Sequence, residues 1–164
     1  MADINYCIRC GELLKLTKIS GAIRPVCENC GWVYFPDPKV AAAGLISDGS
    51  RILLVRRSVD PYRGKWTLPA GFIDAGEDPR KAVERECLEE TGLCVEVDGI
   101  LDVIYGQEHS KGAHIVIVYR VNVLSGKMQP GDDVDQVGFF FLDKLPEIAF
   151  KTTLKVIEML QSAG

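Results

Sequence analysis

The chain has no apolar run long enough to cross a bilayer. Its longest uninterrupted stretches, Val40 to Ile46 and Ile115 to Tyr119, reach seven residues at most, against the roughly 20 that a spanning helix needs. The opening MADINYCIRC puts Asp3 and Arg9 where a secretory signal would carry its apolar core, so a cytoplasmic location is expected. A basic excess is missing too: 19 Lys and Arg stand against 23 Asp and Glu, a formal net charge of −4. That balance argues against a nucleic-acid coat, which displaces counterions from phosphates with surplus lysine and arginine. Histidine is scarce, and neither His109 nor His114 is spaced as a metal ligand. What remains, 164 residues at 47% hydrophobic and 26% charged, is the balance of one globular domain with room for a small appendage.

Four of the six cysteines crowd the first thirty residues: Cys7-x2-Cys10, sixteen intervening residues, then Cys27-x2-Cys30. A two-residue gap aims both sulfurs at one metal, and Gly11 and Gly31 relieve the backbone after each pair. Four thiolates close a tetrahedral zinc sphere, so the expected Zn2+ is structural rather than catalytic. A segment this short cannot bury enough apolar surface to fold alone, whereas zinc contributes on the order of 10 kcal/mol to such ribbons. Two alternatives compete. A pair of disulfides is disfavoured where thiols stay reduced, and a nucleic-acid-binding ribbon finds thin support in a net charge of +1 through Pro36.

Pro36-Asp37-Pro38 cannot continue a strand or helix, which divides the chain into an expected zinc ribbon, 1–36, and a second domain, 37–164. Lys39 to Ser47 and Arg51 to Arg57 read as buried strands paired through a hairpin turn at Asp48-Gly49. A long irregular connection follows, with Pro61, Gly64 and Pro69. Asp78-Pro79 then starts a helix that Gly92 stops. Val95 to Tyr105, Ala113 to Val123 and Val137 to Leu142 read as strands, and Thr152 to Gln161 as a second helix. Strands and helices mix without regular alternation, which gives a mixed α/β or α+β class.

On the first helix, Glu86, Glu89 and Glu90 fall within one narrow arc at about 100° per residue. Like charges at i and i+4 destabilise a helix by a few tenths of a kcal/mol, so this face calls for a cation. Oxygen ligands suit Mg2+ or Mn2+; the bland alternative is a solvated charged face. From Gly71 to Leu93 the chain reads G-F-I-D-A-G-E-D-P-R-K-A-V-E-R-E-C-L-E-E-T-G-L. This resembles the Nudix box, G-x5-E-x7-R-E-U-x-E-E-x-G-U with U apolar. Gly71, Glu77, Arg85, Glu86, Glu89, Glu90 and Gly92 all match, and Cys87 fills an apolar slot as a small buried hydrophobe. The preceding Gly64 to Gly71, G-K-W-T-L-P-A-G, is similar to the family's approach to the box.

The resemblance implies an α/β/α sandwich whose box holds Mg2+ (or Mn2+) through Glu86, Glu89 and Glu90, with the backbone carbonyl of Ala70 completing the site and Glu77 and Arg85 bracing loop against helix. The implied reaction is hydrolysis of a nucleoside diphosphate linked to another moiety, in which the metal neutralises the bridge and activates water. The proton acceptor stays open among Glu86, Glu108 and Asp133, the last in the stretch Gly131 to Val134 that resembles the place of an extra acidic ligand. Gly138 stands where an arginine is common in the family.

A four-cysteine ribbon ahead of such a domain resembles the NADH pyrophosphatases and a group of FAD and ADP-ribose pyrophosphatases. No S-Q-P-W run lies between Leu93 and Arg120, which lowers the NADH reading. Asp37-Pro38-Lys39, Trp66 to Gly71 and Leu145 to Phe150 resemble the FAD and ADP-ribose group. The expected products therefore include AMP, released from ADP-ribose or FAD. NADH cleavage and a non-catalytic nucleotide-sensing module are the alternatives, and the complete carboxylate set favours the enzyme. Arg57 resembles a recurrent phosphate contact, with a surface salt bridge as its rival reading. Trp66 and Phe72 are read as core packing rather than a base stack. Related enzymes also imply a homodimer.

Overall fold

The structure, a computed structural model, describes residues 4–106, 108 and 112–162; His109 lies outside the described residues. The chain divides between Pro38 and Lys39 into two compact units. In the first, β1 (Lys15–Ile19) and β2 (Ala22–Val26) form an antiparallel hairpin that the sequence reading leaves unassigned. Ser20 and Gly21 turn it with φ of 49° and 83°, the paired positive values of a two-residue hairpin turn that follows strand twist.

The second unit runs β3 (Val40–Leu45), β4 (Arg51–Arg57), β5 (Trp66–Thr67), β6 (Ala70–Phe72), α1 (Pro79–Thr91), β7 (Leu93–Tyr105), β8 (Ile115–Gly126), β9 (Val134–Phe141) and α2 (Lys151–Ser162). One sheet has the order β6-β3-β8-β7 and the other β5-β4-β9; β3 and β8 are parallel, and the other pairs are antiparallel. The short β5 and β6 emerge from the stretch expected to be irregular.

One expectation needs correction. The turn at Asp48-Gly49 forms, with Leu53 N donating to Ile46 O at 2.9 Å and Ser47 bridged to Ile52, but β3 and β4 do not continue as a pair. They part into different sheets. The reason lies in their uninterrupted apolar runs, which suit strands buried on both faces. Ala42, Ile46, Leu53 and Val55 enter one core cluster with Val83 and Cys87 of α1. Ala43, Leu45, Ile52 and Leu54 enter a second with Val156 and Ile157 of α2. Helix, strands and helix thus form the layers of a mixed α/β Nudix-like fold. Trp66 joins the second core, its ring 4.7 Å from that of Phe140. Phe72 departs from the core reading: it is 47% exposed, since β6 is an edge strand with only β3 beside it. Among the described residues no helix is long and apolar enough to cross a membrane.

Candidate active site

The first helix carries the site because its ends are fixed by its own sequence. Asp78 caps the start, accepting from Arg80 N at 2.8 Å, with Pro79 at the first position. Gly92 ends it in the left-handed region at φ 71° and donates its N–H to Leu88 O. The helix seats closely on β3: a Cβ at Gly44 would stand 2.6 Å from Cys87 Sγ. Burial pushes the Cys87 thiol up, in keeping with an inert packing role.

This seating brings Glu86 and Glu90 to a cleft of about 460 Å³ that opens between the two sheets. Ala70 N donates to Glu90 Oε2 at 3.0 Å. Glu86 lies so close to β6 that a Cβ at Gly71 would be 2.1 Å from its carboxyl carbon, which is the physical need behind that motif glycine. Arg85 ties the loop to the helix. Its Nε and Nη2 reach the two oxygens of Glu77 at 2.9 and 3.0 Å, its Nη1 reaches Glu86 Oε1 at 2.5 Å and Glu89 Oε2 at 3.1 Å, and its Nη2 also donates to Phe72 O. Glu89 stays half-exposed beside Arg85, and among the residues lining the cleft only Glu86 and Glu90 come from the three-glutamate set.

The loop before β9 supplies further lining. Gly131 packs against the end of α1, where a Cβ would stand 2.4 Å from Glu89 O. Asp132, at φ 50°, and Asp133 both line the cleft. Ser58 fixes this loop through its N–H and its hydroxyl, which donate to Asp133 O at 2.8 and 2.7 Å. Arg57 lines the cleft too, its Nε donating to Pro61 O at 2.8 Å and its guanidinium 5.2 Å from the centre of the Phe150 ring. Asp132 and Phe150 had no individual signal in the sequence; only the neighbouring acid Asp133 and the Leu145–Phe150 stretch pointed to them.

Electrostatics divide the carboxylates. Arg85 and the Asp74 backbone N–H hold Glu77 down to about 2. Burial lifts Glu86, with Glu89 and Asp132 adding repulsion, and lifts Glu90 well above the usual range, with Asp133 and Glu86 adding theirs. Bringing four acids around one cleft is costly unless a cation joins them. A model of the NUDIX domain family matches residues 37–160.

The chain belongs to the Nudix family. It is 39% identical over 114 residues to an ADP-ribose pyrophosphatase of Methanocaldococcus jannaschii, across 69% of this chain and 68% of that one. To the mitochondrial NAD(P)H pyrophosphatase of Homo sapiens it is 40% identical over 92 residues, 56% of this chain but 25% of that one. Its fold matches a NUDIX hydrolase from Nitrosomonas europaea with a TM-score of 0.83 at 28% identity, covering 97% of this chain and 93% of that one. This Nudix chain is an enzyme of the pyrophosphohydrolase type.

In the first unit of the Nudix protein, Cys7, Cys10, Cys27 and Cys30 bring their sulfurs within 4.8 Å of one another. All four are free. The Cys7–Cys30 and Cys10–Cys27 separations are 3.5 Å, too long for a disulfide bond of about 2.0 Å and close to the ~3.8 Å edge of a zinc–thiolate tetrahedron built on 2.3 Å bonds. The two knuckles repeat one geometry: Gly11 N donates to Cys7 O and Gly31 N to Cys27 O, with φ of 76° and 73° at the glycines. The cluster fits Zn2+. Among the described residues no trio of carboxylates gathers so tightly.

Proposed function

We propose that this Nudix hydrolase is a Mg2+-dependent (or Mn2+-dependent) diphosphatase that cleaves the bridge of ADP-ribose or FAD and releases AMP. The observation that carries the reading is the meeting of Glu86 and Glu90 with Asp132 and Asp133 at one cleft. Hard oxygen donors on a rigid helix, two of them buried at 8% and 5% exposure, fit a divalent cation. Glu86, Glu89 and Glu90, with the Ala70 carbonyl, would hold it. When bound, such a cation neutralises the bridging phosphates and lowers the pKa of water at the site.

The chain's own residues do the rest. Glu77 fixes Arg85, and Arg85 in turn orients Glu86 and Glu89. Arg57 is positioned to meet a phosphate oxygen, while Asp133 lines the same cleft as Glu90 and extends the acidic set. For the proton of the attacking water we choose Glu86 Oε2, the oxygen that Arg85 does not engage. Glu108 fits less well, because its Oε1 accepts from Thr152 N at 3.1 Å and it lines a neighbouring hollow with Lys151 and Lys155.

ADP-ribose leads because the Methanocaldococcus jannaschii relative, matched over two thirds of its length, bears that activity in its name. The NAD(P)H relative supports NADH cleavage as the second reading, over a quarter of its length. A purely binding module has no use for buried acids that oppose one another. Four free ribbon thiols suit a reducing compartment and support the cytoplasm. The test is product analysis with magnesium and ADP-ribose, FAD or NADH, with Glu89→Gln as control. AMP from ADP-ribose or FAD, lost in the control, is the expected result; turnover of NADH alone would overturn the substrate choice, and no turnover at all the enzymatic reading.

A further inference from the structure

We infer that the buried hydroxyl pair Thr67–Thr153 reads the polar edge of the adenine base, an inference that rests on the nucleotide-cleaving reading above. Thr67 on β5 and Thr153 in the first turn of α2 stand with their Oγ1 atoms 2.9 Å apart, and they are 7% and 3% exposed. Both line the same cleft as Glu86 and Glu90. The same cleft is lined by the small apolar side chains of Ala41, Ala43, Val116, Val118 and Val156. The β3–β8 register sets Ala41 against Val116 and Ala43 against Val118, so small side chains on one sheet face make a shallow wall against which a flat ring can lie.

Each hydroxyl has one proton and two lone pairs. Two hydroxyls carry two protons, and the bond between them uses one. Among the described residues that mutual bond is the one hydrogen bond either side chain makes. A proton and several lone pairs are therefore left over at a place the cleft reaches. A simple tie between β5 and α2 has no need of this, since two valines of the same shape would pack as well.

The chemistry of the wall selects the ligand. The side chains of Ala41, Ala43, Val116, Val118 and Val156 carry no charge, so this part of the lining does not suit a phosphate, and a ribose has no flat face to lay against it. A neutral planar ring with a donor beside an acceptor fits, and adenine offers its exocyclic amine next to a ring nitrogen. Hydroxyls that can both give and accept a proton match such an edge. With the base against this wall, the diphosphate bridge of the same molecule extends through the one cleft toward Glu86 and Glu90.

The test is calorimetric binding of AMP and of ribose 5-phosphate, in the presence of magnesium, to the wild type and to the double variant T67V/T153V. Removing both hydroxyls leaves neither one buried without its partner, and a melting curve checks that the variant folds. AMP affinity is expected to fall on the order of tenfold, with ribose 5-phosphate affinity unchanged and AMP affinity recovered in T67S/T153S. Equal AMP affinity in a folded variant, equal losses for both ligands, or no AMP binding by the wild type would each overturn the inference. Should the valine variant not fold, purine riboside 5′-monophosphate replaces it as the probe: it lacks the amine, and its binding to the wild type as tightly as AMP would overturn the inference too. Failure of the wild type to hydrolyse any dinucleotide would instead strike the diphosphatase reading and leave the binding result standing.

Discussion

Replacing Gly71 by alanine separates the position of one carboxylate from the stability of the fold. Gly71 lies in β6 opposite Ala42, outside the left-handed region that would demand glycine, so the backbone accepts alanine. The added Cβ would stand 2.1 Å from both the carboxyl carbon and Oε1 of Glu86, where ordinary contact begins near 3.4 Å. The carboxylate must retreat by roughly 1 Å, and because it is the end of a flexible side chain it can do so without moving α1. A displacement of that size at a reacting centre costs on the order of 100-fold in rate, about 2.7 kcal/mol of activation free energy. The assay pairs kcat for ADP-ribose hydrolysis in magnesium with a thermal melt. The expectation is a drop of about two orders of magnitude in kcat with Tm within a few degrees of wild type. Full activity in a folded Gly71→Ala enzyme would refute the reasoning, because the reaction would then not depend on where Glu86 stands.

Divalent cations should raise Tm, by about 2.7 kcal/mol of stability at a hundred times the dissociation constant. Burial raises the folded-state pKa of Glu86 and Glu90, so their mutual repulsion grows as pH rises through the folded values; the Mg2+ shift should be larger at pH 8 than at pH 5, and scanning calorimetry at both checks it. Glu77 has the opposite sign: its folded pKa is depressed to about 2 from an ordinary 4.5, so its pairing with Arg85 stabilises above about pH 4.5 and is lost as pH falls toward 2. Glu77→Gln should therefore flatten the acid limb of the denaturation curve in that window. Chelation that releases one zinc per chain, counted by a colorimetric dye, should unfold the ribbon and abolish its protection from hydrogen exchange, since the metal supplies on the order of 10 kcal/mol to such segments.

What the sequence made legible was whatever local chemistry dictates. Asp78-Pro79 and Gly92 mark the ends of α1 because capping and backbone freedom act within a few residues. The cysteine cluster follows from spacing alone. The parting of β3 from β4 was not legible, because a turn signal at Asp48-Gly49 says that the chain reverses and nothing about which edge each strand then finds. β5 and β6 were hidden for the same reason: two or three residues carry no periodicity, and their partners, Val55 and Arg56 for β5 and Ala41 to Ala43 for β6, lie well back in the chain. Phe72 was misjudged because its composition is that of a core residue while its strand has one open edge.

The same parting explains why the acidic and apolar parts of the cleft belong together. With β3 in one sheet and β4 in the other, β6 and β5 are edge strands of different sheets, and Glu86, Gly71 and Thr67 line one cleft. Because each strand joins its own sheet, one edge brings Ala70 and Gly71 under the α1 carboxylates and the other brings Thr67 under α2. Arg57 ends β4, Ser58 follows it where the chain leaves that second sheet, and Ser58 fastens the Asp133 loop. Substitutions within either part therefore separate phosphate chemistry from base recognition: Gly71→Ala on one side, T67V/T153V on the other.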